Sequence, residues 1–242
     1  ARPSLIAQTR RADLIICTGS DLEIGWLPLL LRQSGNKRVQ VGQPGYFMAS
    51  EQVERIEVPE NMDRSMGDIH AGGNPHVHLD PNRLLIIAKM FTQRLQVIDA
   101  NNADFYEARF QHFRTKWLQA IQVWKSQSAE LKGKKVVVYH KNWSYLLAWL
   151  GIEVVADLEP KPGIPPTSAH LVSLLQVVKT EQPGAILIAA YQNDKSARWL
   201  AEKSGIPVLS LPFTVGGNEA ATSLHALYSH TLTELLDTLV SP

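Results

Sequence analysis

A chain of 242 residues, 45% hydrophobic and 19% charged, holds enough apolar side chain for one or two packed cores and lacks the compositional marks of disorder. Lys plus Arg number 24 against 23 Asp plus Glu, so no excess of positive charge exists to neutralise a run of phosphates, and nucleic acid is excluded as a partner. The longest apolar runs, Leu27 to Leu31 and Leu84 to Ala88, fall far short of the roughly 20 residues of a membrane span, and the single cysteine, Cys17, leaves no disulfide and no thiolate zinc site.

Taken in chain order, Pro3 to Arg11 suits a short helix, and the apolar run Ala12 to Thr18, ending at Gly19, predicts a buried parallel strand. Residues 36 to 75 carry repeated turn signals and read mostly as loop, with one alternating stretch, Val53 to Val58, that could form a strand. Asp80-Pro81 is an N-cap followed by proline in the first turn, and Leu84, Ala88, Phe91, Leu95 and Ile98 mark one apolar face behind it. Phe110, Phe113, Trp117, Ile121 and Trp124 then recur at helical spacing through to about Leu131, predicting a helix of about 40 Å, long enough to join two lobes.

The second half alternates regularly. Strands are expected at Lys135 to Tyr139, Glu153 to Ala156, Ala185 to Ala189 and Pro207 to Leu211. Helices are expected at Trp143 to Leu150, Ser168 to Thr180, Lys195 to Ser204 and from about Glu219 to Val240. Such alternation argues for a parallel, doubly wound α/β sheet. The resulting organisation is an N-terminal α/β lobe (residues 1–102), a long linker helix (103–131) and a C-terminal α/β lobe (132–242). The first lobe reads as incomplete, because about 100 residues yield one firm strand and at most a second, and its opening strand and helix are inferred to be missing.

Three of the eight histidines, His70, His76 and His78, fall within nine residues of a turn-rich loop. A neutral imidazole is a ready metal ligand, although a solvated polar loop accounts for His-x-His equally well. His76 and His78 share a face if the loop is extended there. His140 follows Lys134-Lys135-Val136-Val137-Val138-Tyr139 directly, at the C-terminal end of a parallel strand, where open α/β sheets place their ligands. His112, His225 and His230 read as structural, and His170, at a helix start, ranks below His140. Nucleophilic catalysis finds no Gly-x-Ser-x-Gly elbow, and there is no Gly-rich phosphate loop.

The segments Ala12-Asp13-Leu14 through Glu23, Asn74-Pro75-His76-Val77-His78-Leu79-Asp80-Pro81, the long helix, and Val138-Tyr139-His140 leading into Trp143-Ser144-Tyr145-Leu146 together resemble the metal-binding receptors of zinc and manganese ABC importers, the cluster A-I family of substrate-binding proteins. The resemblance covers nearly the whole chain. It implies two α/β lobes joined by a long helix, a periplasmic location, and delivery of a divalent metal to the membrane subunits of an importer. It also implies His76 and His140 as metal ligands, one from each lobe. A further family histidine would lie upstream of Ala1, and the family's acidic ligand aligns with Pro212. His70 and His78 are then available to collect metal before its delivery. Two imidazoles with few oxygen donors favour zinc over manganese.

A zinc-dependent hydrolase using the same histidines is the alternative, with Glu23 and Glu159 as the acids available for a general base. A receptor lobe that has lost metal binding and is kept for partner contact is the third reading.

Overall fold

The computed structural model describes residues 2–59 and 70–240, which fall into two units: 2–59 with 70–118, and 119–240. In the first unit Pro3 opens helix α1 (Pro3–Arg11), whose last turn carries Arg10 and Arg11 where cations complement the helix dipole. Strand β1 (Ile15–Cys17) follows, then helix α2 (Leu27–Ser34), which stops at Gly35 in the left-handed region (φ 62°). Strand β2 (Tyr46–Met48) lies parallel to β1, with Ile15 opposite Tyr46 and Cys17 opposite Met48. Cys17, Leu27, Leu31, Val39 and Met48 form the core around this pair.

Helix α3 (Pro81–Ile98) begins as expected, because the Asp80 carboxylate accepts from the amides of Asn82 and Arg83 and pairs with the Arg83 guanidinium. It packs on β2 through Phe91, edge-on to Phe47 at 5.4 Å, and Arg94 donates to the carbonyls of Pro44 and Tyr46. Its apolar stripe is only half-buried; Pro81 and Thr92 are its buried residues. Helix α4 (Ala103–Gln127) supplies the long helix, with Trp117 and Trp124 buried on its predicted face, and a 3-10 turn at Ala129–Leu131 ends it. Leu118 and Gln119, where the two units divide, lie inside α4.

Several expectations for the first unit are corrected. Val53 to Val58 is not a strand: Glu57 adopts a left-handed φ of 55°, and the Ile56 carbonyl accepts from the Asn74 amide instead of a sheet neighbour. The second strand is Tyr46–Met48, inside the region read as loop. β1 is three residues long and Ile16 is 54% exposed, so this strand is not buried on both faces. Among the described residues the first unit has a sheet of two parallel strands, β1 and β2.

The second unit follows its predicted alternation closely. Strands β3 (Lys135–Val138), β4 (Glu153–Asp157), β5 (Ala185–Ala189) and β6 (Val208–Leu211) form one parallel sheet in the order β4-β3-β5-β6. They alternate with helices α5 (Ser144–Leu150), α6 (Ser168–Glu181) and α7 (Lys195–Ser204), and α8 (Leu224–Leu239) closes the chain's described part. β5 is buried at every residue, as its continuous apolar sequence requires. The order reverses at β3: the chain passes from β3 outward to β4, then returns to the other side of β3 for β5. Trp124 stacks on Tyr228 at 4.9 Å and donates through Nε1 to Ser229 Oγ, fixing α8 to the end of α4. α8 begins five residues later than expected. Asn218 Oδ1 accepts from the Ala220 and Ala221 amides, a local turn that competes with helix, and Ser223 is the N-cap.

Replacing Asp80 by Ala removes two amide acceptors and the partner of Arg83, and should lower unfolding free energy by about 0.5–2 kcal/mol in urea titration. The Cys17 thiol, buried first and set near the Glu23 carboxylate second, is pushed up to about 11. It stays protonated at pH 8, so alkylation by iodoacetamide should be slow in the folded chain and fast in guanidinium, as read by mass spectrometry.

Candidate metal centre

A parallel sheet presents the C-terminal ends of its strands along one edge, and the reversal at β3 makes this edge the place where an open α/β sheet leaves room for a ligand. Tyr139 extends the ladder one residue beyond β3, its amide donating to the Leu187 carbonyl at 2.9 Å. His140 follows in extended conformation (φ −143°, ψ 160°), and its carbonyl accepts from the Asn142 amide at 2.7 Å as the chain turns into α5. Beyond β4 the ladder also continues: Leu158 donates to Val138 O at 2.8 Å and Glu159 to Tyr139 O at 3.2 Å. These bonds bring Glu159 alongside His140.

The side chains meet there, with His140 Nδ1 2.7 Å from Glu159 Oε2, and with side-chain exposures of 24% and 13%. The same carboxylate oxygen accepts the Gly163 amide at 2.9 Å. Burial, with the Glu159 charge second, raises the pKa of the neighbouring Tyr139 phenol. The other strand ends contribute polar and aromatic groups. Asn142, 1% exposed, donates through Nδ2 to the Tyr191 hydroxyl beyond β5, while Trp143 and Tyr191 each stand edge-on to Phe213 beyond β6 at 5.9 Å. Pro212, just beyond β6, is buried and offers no side-chain donor atom.

In the first unit His76 is half-buried and precedes a 3-10 turn, Val77–Leu79, whose Val77 and Leu79 are buried. The loop is therefore not extended at this point; even so, the rings of His76 and His78 lie 6.4 Å apart and nearly perpendicular. Asn74 braces the segment: its Oδ1 accepts the His76 amide at 2.9 Å and its Nδ2 donates to Glu57 at 2.9 Å. Gly73 has a φ of 87°, and a Cβ there would sit 2.8 Å from Val58 and 2.9 Å from the Ile56 carbonyl, so the approach of the two backbones needs glycine. His70 is half-buried at the start of this described segment.

Most of the remaining histidines have protein partners. His170 Nε2 lies 2.9 Å from the Asp157 carbonyl, which can only accept, so this ring nitrogen is a donor tying α6 to the end of β4. His112 is exposed on α4, His225 packs on Trp124 at 5.2 Å, and His230 Nε2 is 3.0 Å from Asn218. The 9%-exposed Glu23 carboxylate accepts the Thr18 amide at 2.8 Å and the Gly19 amide at 3.0 Å, which braces a loop where Gly19, Ser20 and Asp21 all have positive φ. His76 and His140 belong to different units. Among the described residues no three His, Cys, Asp or Glu side chains are grouped as a ligand set. The sequence reading missed the partnership of Glu159 with His140: His140 directly follows a predicted strand, whereas Glu159 lies beyond Asp157 and Leu158 after the strand predicted to end at Ala156.

The family model described as zinc-uptake complex component A, periplasmic, matches residues 1–241. The manganese ABC transporter substrate-binding lipoprotein PsaA of Streptococcus pneumoniae is 24% identical over 218 residues, 88% of this chain and 67% of PsaA. The high-affinity zinc uptake system protein ZnuA of Bacillus subtilis is 23% identical over 207 residues, 84% of this chain and 63% of that protein. Among solved structures, a crystal structure of ZnuA superposes with a TM-score of 0.78 at 19% identity, covering 98% of this chain and 84% of that one. The Mn-bound periplasmic metal binding protein of Candidatus Liberibacter asiaticus gives 0.76 at 18% identity, covering 98% and 85%. At such identities the structures establish the shared fold.

Proposed function

We propose that this chain, which belongs to the zinc-uptake complex component A periplasmic family, captures zinc in the periplasm through His76 and His140 and delivers it to the membrane subunits of an ABC importer. That it is a metal-binding substrate-binding protein of an ABC importer, and not an enzyme, rests on the family match and on relatives named for that role. The metal is cargo, bound and released unchanged. The choice of zinc, the compartment and the two ligands are the further steps of this reading.

The observation that carries it is the His140–Glu159 pair on the C-terminal edge of the parallel sheet. A histidine in this position, held by a carboxylate, has the arrangement in which metal-binding imidazoles are commonly found. Donor chemistry supports zinc: both proposed ligands are imidazoles, and Glu23, Asp80 and Glu159 already accept hydrogen bonds from this chain. Manganese favours a site richer in oxygen ligands. The same engagement weighs against a hydrolase, because Glu23 is occupied by backbone amides and Glu159 by His140 and Gly163. No helix among the described residues is long and apolar enough to cross a membrane.

Calorimetric titration of the chelator-treated chain with zinc, and separately with manganese, tests the proposal. One zinc per chain is expected, with zinc binding more tightly than manganese. Replacing His76 or His140 by Ala should each weaken binding by more than the roughly 10–100-fold typical of residues that only support a ligand. A chain that binds neither metal would overturn the reading and favour a receptor lobe retained for partner contact. Zinc binding indifferent to both substitutions would refute the ligand assignment.

A further inference from the structure

The bond between His140 and Glu159 has a direction that the neighbouring contacts decide. Glu159 Oε2 accepts the Gly163 amide at 2.9 Å, a contact in which a backbone N–H can only donate. An oxygen in that role beside an imidazole nitrogen at 2.7 Å is a carboxylate oxygen accepting a second hydrogen, so His140 Nδ1 carries the proton. In a neutral imidazole the lone pair then belongs to Nε2. Glu159 is 13% exposed at its side chain and is itself fixed twice: its amide donates to Tyr139 O, and its carboxylate is tied to Gly163. Lys161 and Ile164 bridge across the same turn, so the carboxylate sits on a closed loop.

We infer that Glu159 is a positioning residue for metal capture, which holds His140 in the Nδ1–H tautomer and so presents Nε2 as the metal-binding nitrogen. The inference rests on the proposed role of His140 and adds which of its nitrogens binds and what selects it. Glu159 does not touch the metal in this account. Its effects are two: it removes the tautomer and ring rotations that a binding imidazole would otherwise lose, and its negative charge makes the opposite nitrogen a better donor.

The test uses the full chain, labelled with 15N and freed of metal, with long-range 1H–15N correlation spectra reporting which ring nitrogen of His140 is protonated. His140 should be in the Nδ1–H form in the parent chain and should shift toward the Nε2–H form in Glu159→Ala. Glu159→Gln keeps an acceptor oxygen without the charge. It should hold the tautomer while weakening zinc binding less than Glu159→Ala, whose loss should be about 10–100-fold. Unchanged amide spectra elsewhere in both variants would separate these effects from unfolding; the Gln variant carries the test should the Ala variant fail to fold. An Nε2–H tautomer in the parent chain, or the parent tautomer and affinity kept in Glu159→Ala, would overturn the role of Glu159. His140→Ala with unaltered zinc affinity would instead overturn His140 as a ligand, and the tautomer result would stand apart from it.

Discussion

Everything proposed for the second unit depends on β3 and β4 being parallel neighbours. Parallel pairing sends both chains out of the sheet at the same edge, and two ladder bonds beyond the formal strand ends, Leu158 to Val138 and Glu159 to Tyr139, keep them in register for a further residue. An antiparallel arrangement would have put the end of one strand beside the start of the other, and the imidazole and carboxylate would never have met. The register shift between Val136 and Val137 makes the point more sharply. Val136 faces Val154, but Val137 faces Ala156, so one residue of β4 is passed over, and the alternation of side chains along the two strands changes phase there. The pairing of His140 with Glu159 follows from that irregularity as much as from the sheet itself.

This explains what could and could not be read from the amino-acid sequence. The α/β alternation of the second half was visible because each element carries its own local signal: β5 is a five-residue apolar run, and α7 lies where its periodicity puts it, just as Asp80-Pro81 marked the start of α3 in the first unit. His140 was visible for the same reason, since a histidine directly after Val-Val-Val-Tyr marks a strand end without any knowledge of its neighbours. Glu159 was not, because its importance comes from strand order and a bulge, which no local pattern encodes. In the first unit β2 escaped notice because three residues, Tyr46 to Met48, are too few to show a period, and they follow Pro44-Gly45. Val53 to Val58 had the right alternation and the wrong backbone, with Glu57 in the left-handed region and Asn74 as the hydrogen-bond partner.

The buried acids of the first unit show how a carboxylate can look like a functional group and act as a brace. Glu23 satisfies two amides that the turn at Gly19, Ser20 and Asp21 would otherwise leave without strand partners. Leaving such amides buried and unpaired costs about 1–3 kcal/mol each. Two non-glycine residues with positive φ add strain that the brace helps to offset, and Ser20 is held further by Ser50 and the Gly72 carbonyl. Asp80 does comparable work at the start of α3. A negative charge already occupied in this way is a poor general base, since taking up a proton would weaken the bonds that keep the loop in place.

His76 and His140 are held by different means, and the difference has consequences for how each would respond to change. His140 takes its direction from a side-chain partner, so its ring is set by a carboxylate while its backbone is set by the sheet. His76 takes its position from the backbone: Asn74 receives its amide, a 3-10 turn follows it, and buried Val77 and Leu79 anchor that turn on either side of His78. Gly73, whose close approach to Ile56 and Val58 admits no side chain, fixes where the segment starts. The imidazole of His140 is thus pre-set chemically, by tautomer and charge, whereas that of His76 is pre-set sterically, by where the chain can go. Substitutions near His140 should therefore act on donor strength with the fold intact, while those near His76 must first disturb the packing of its own turn.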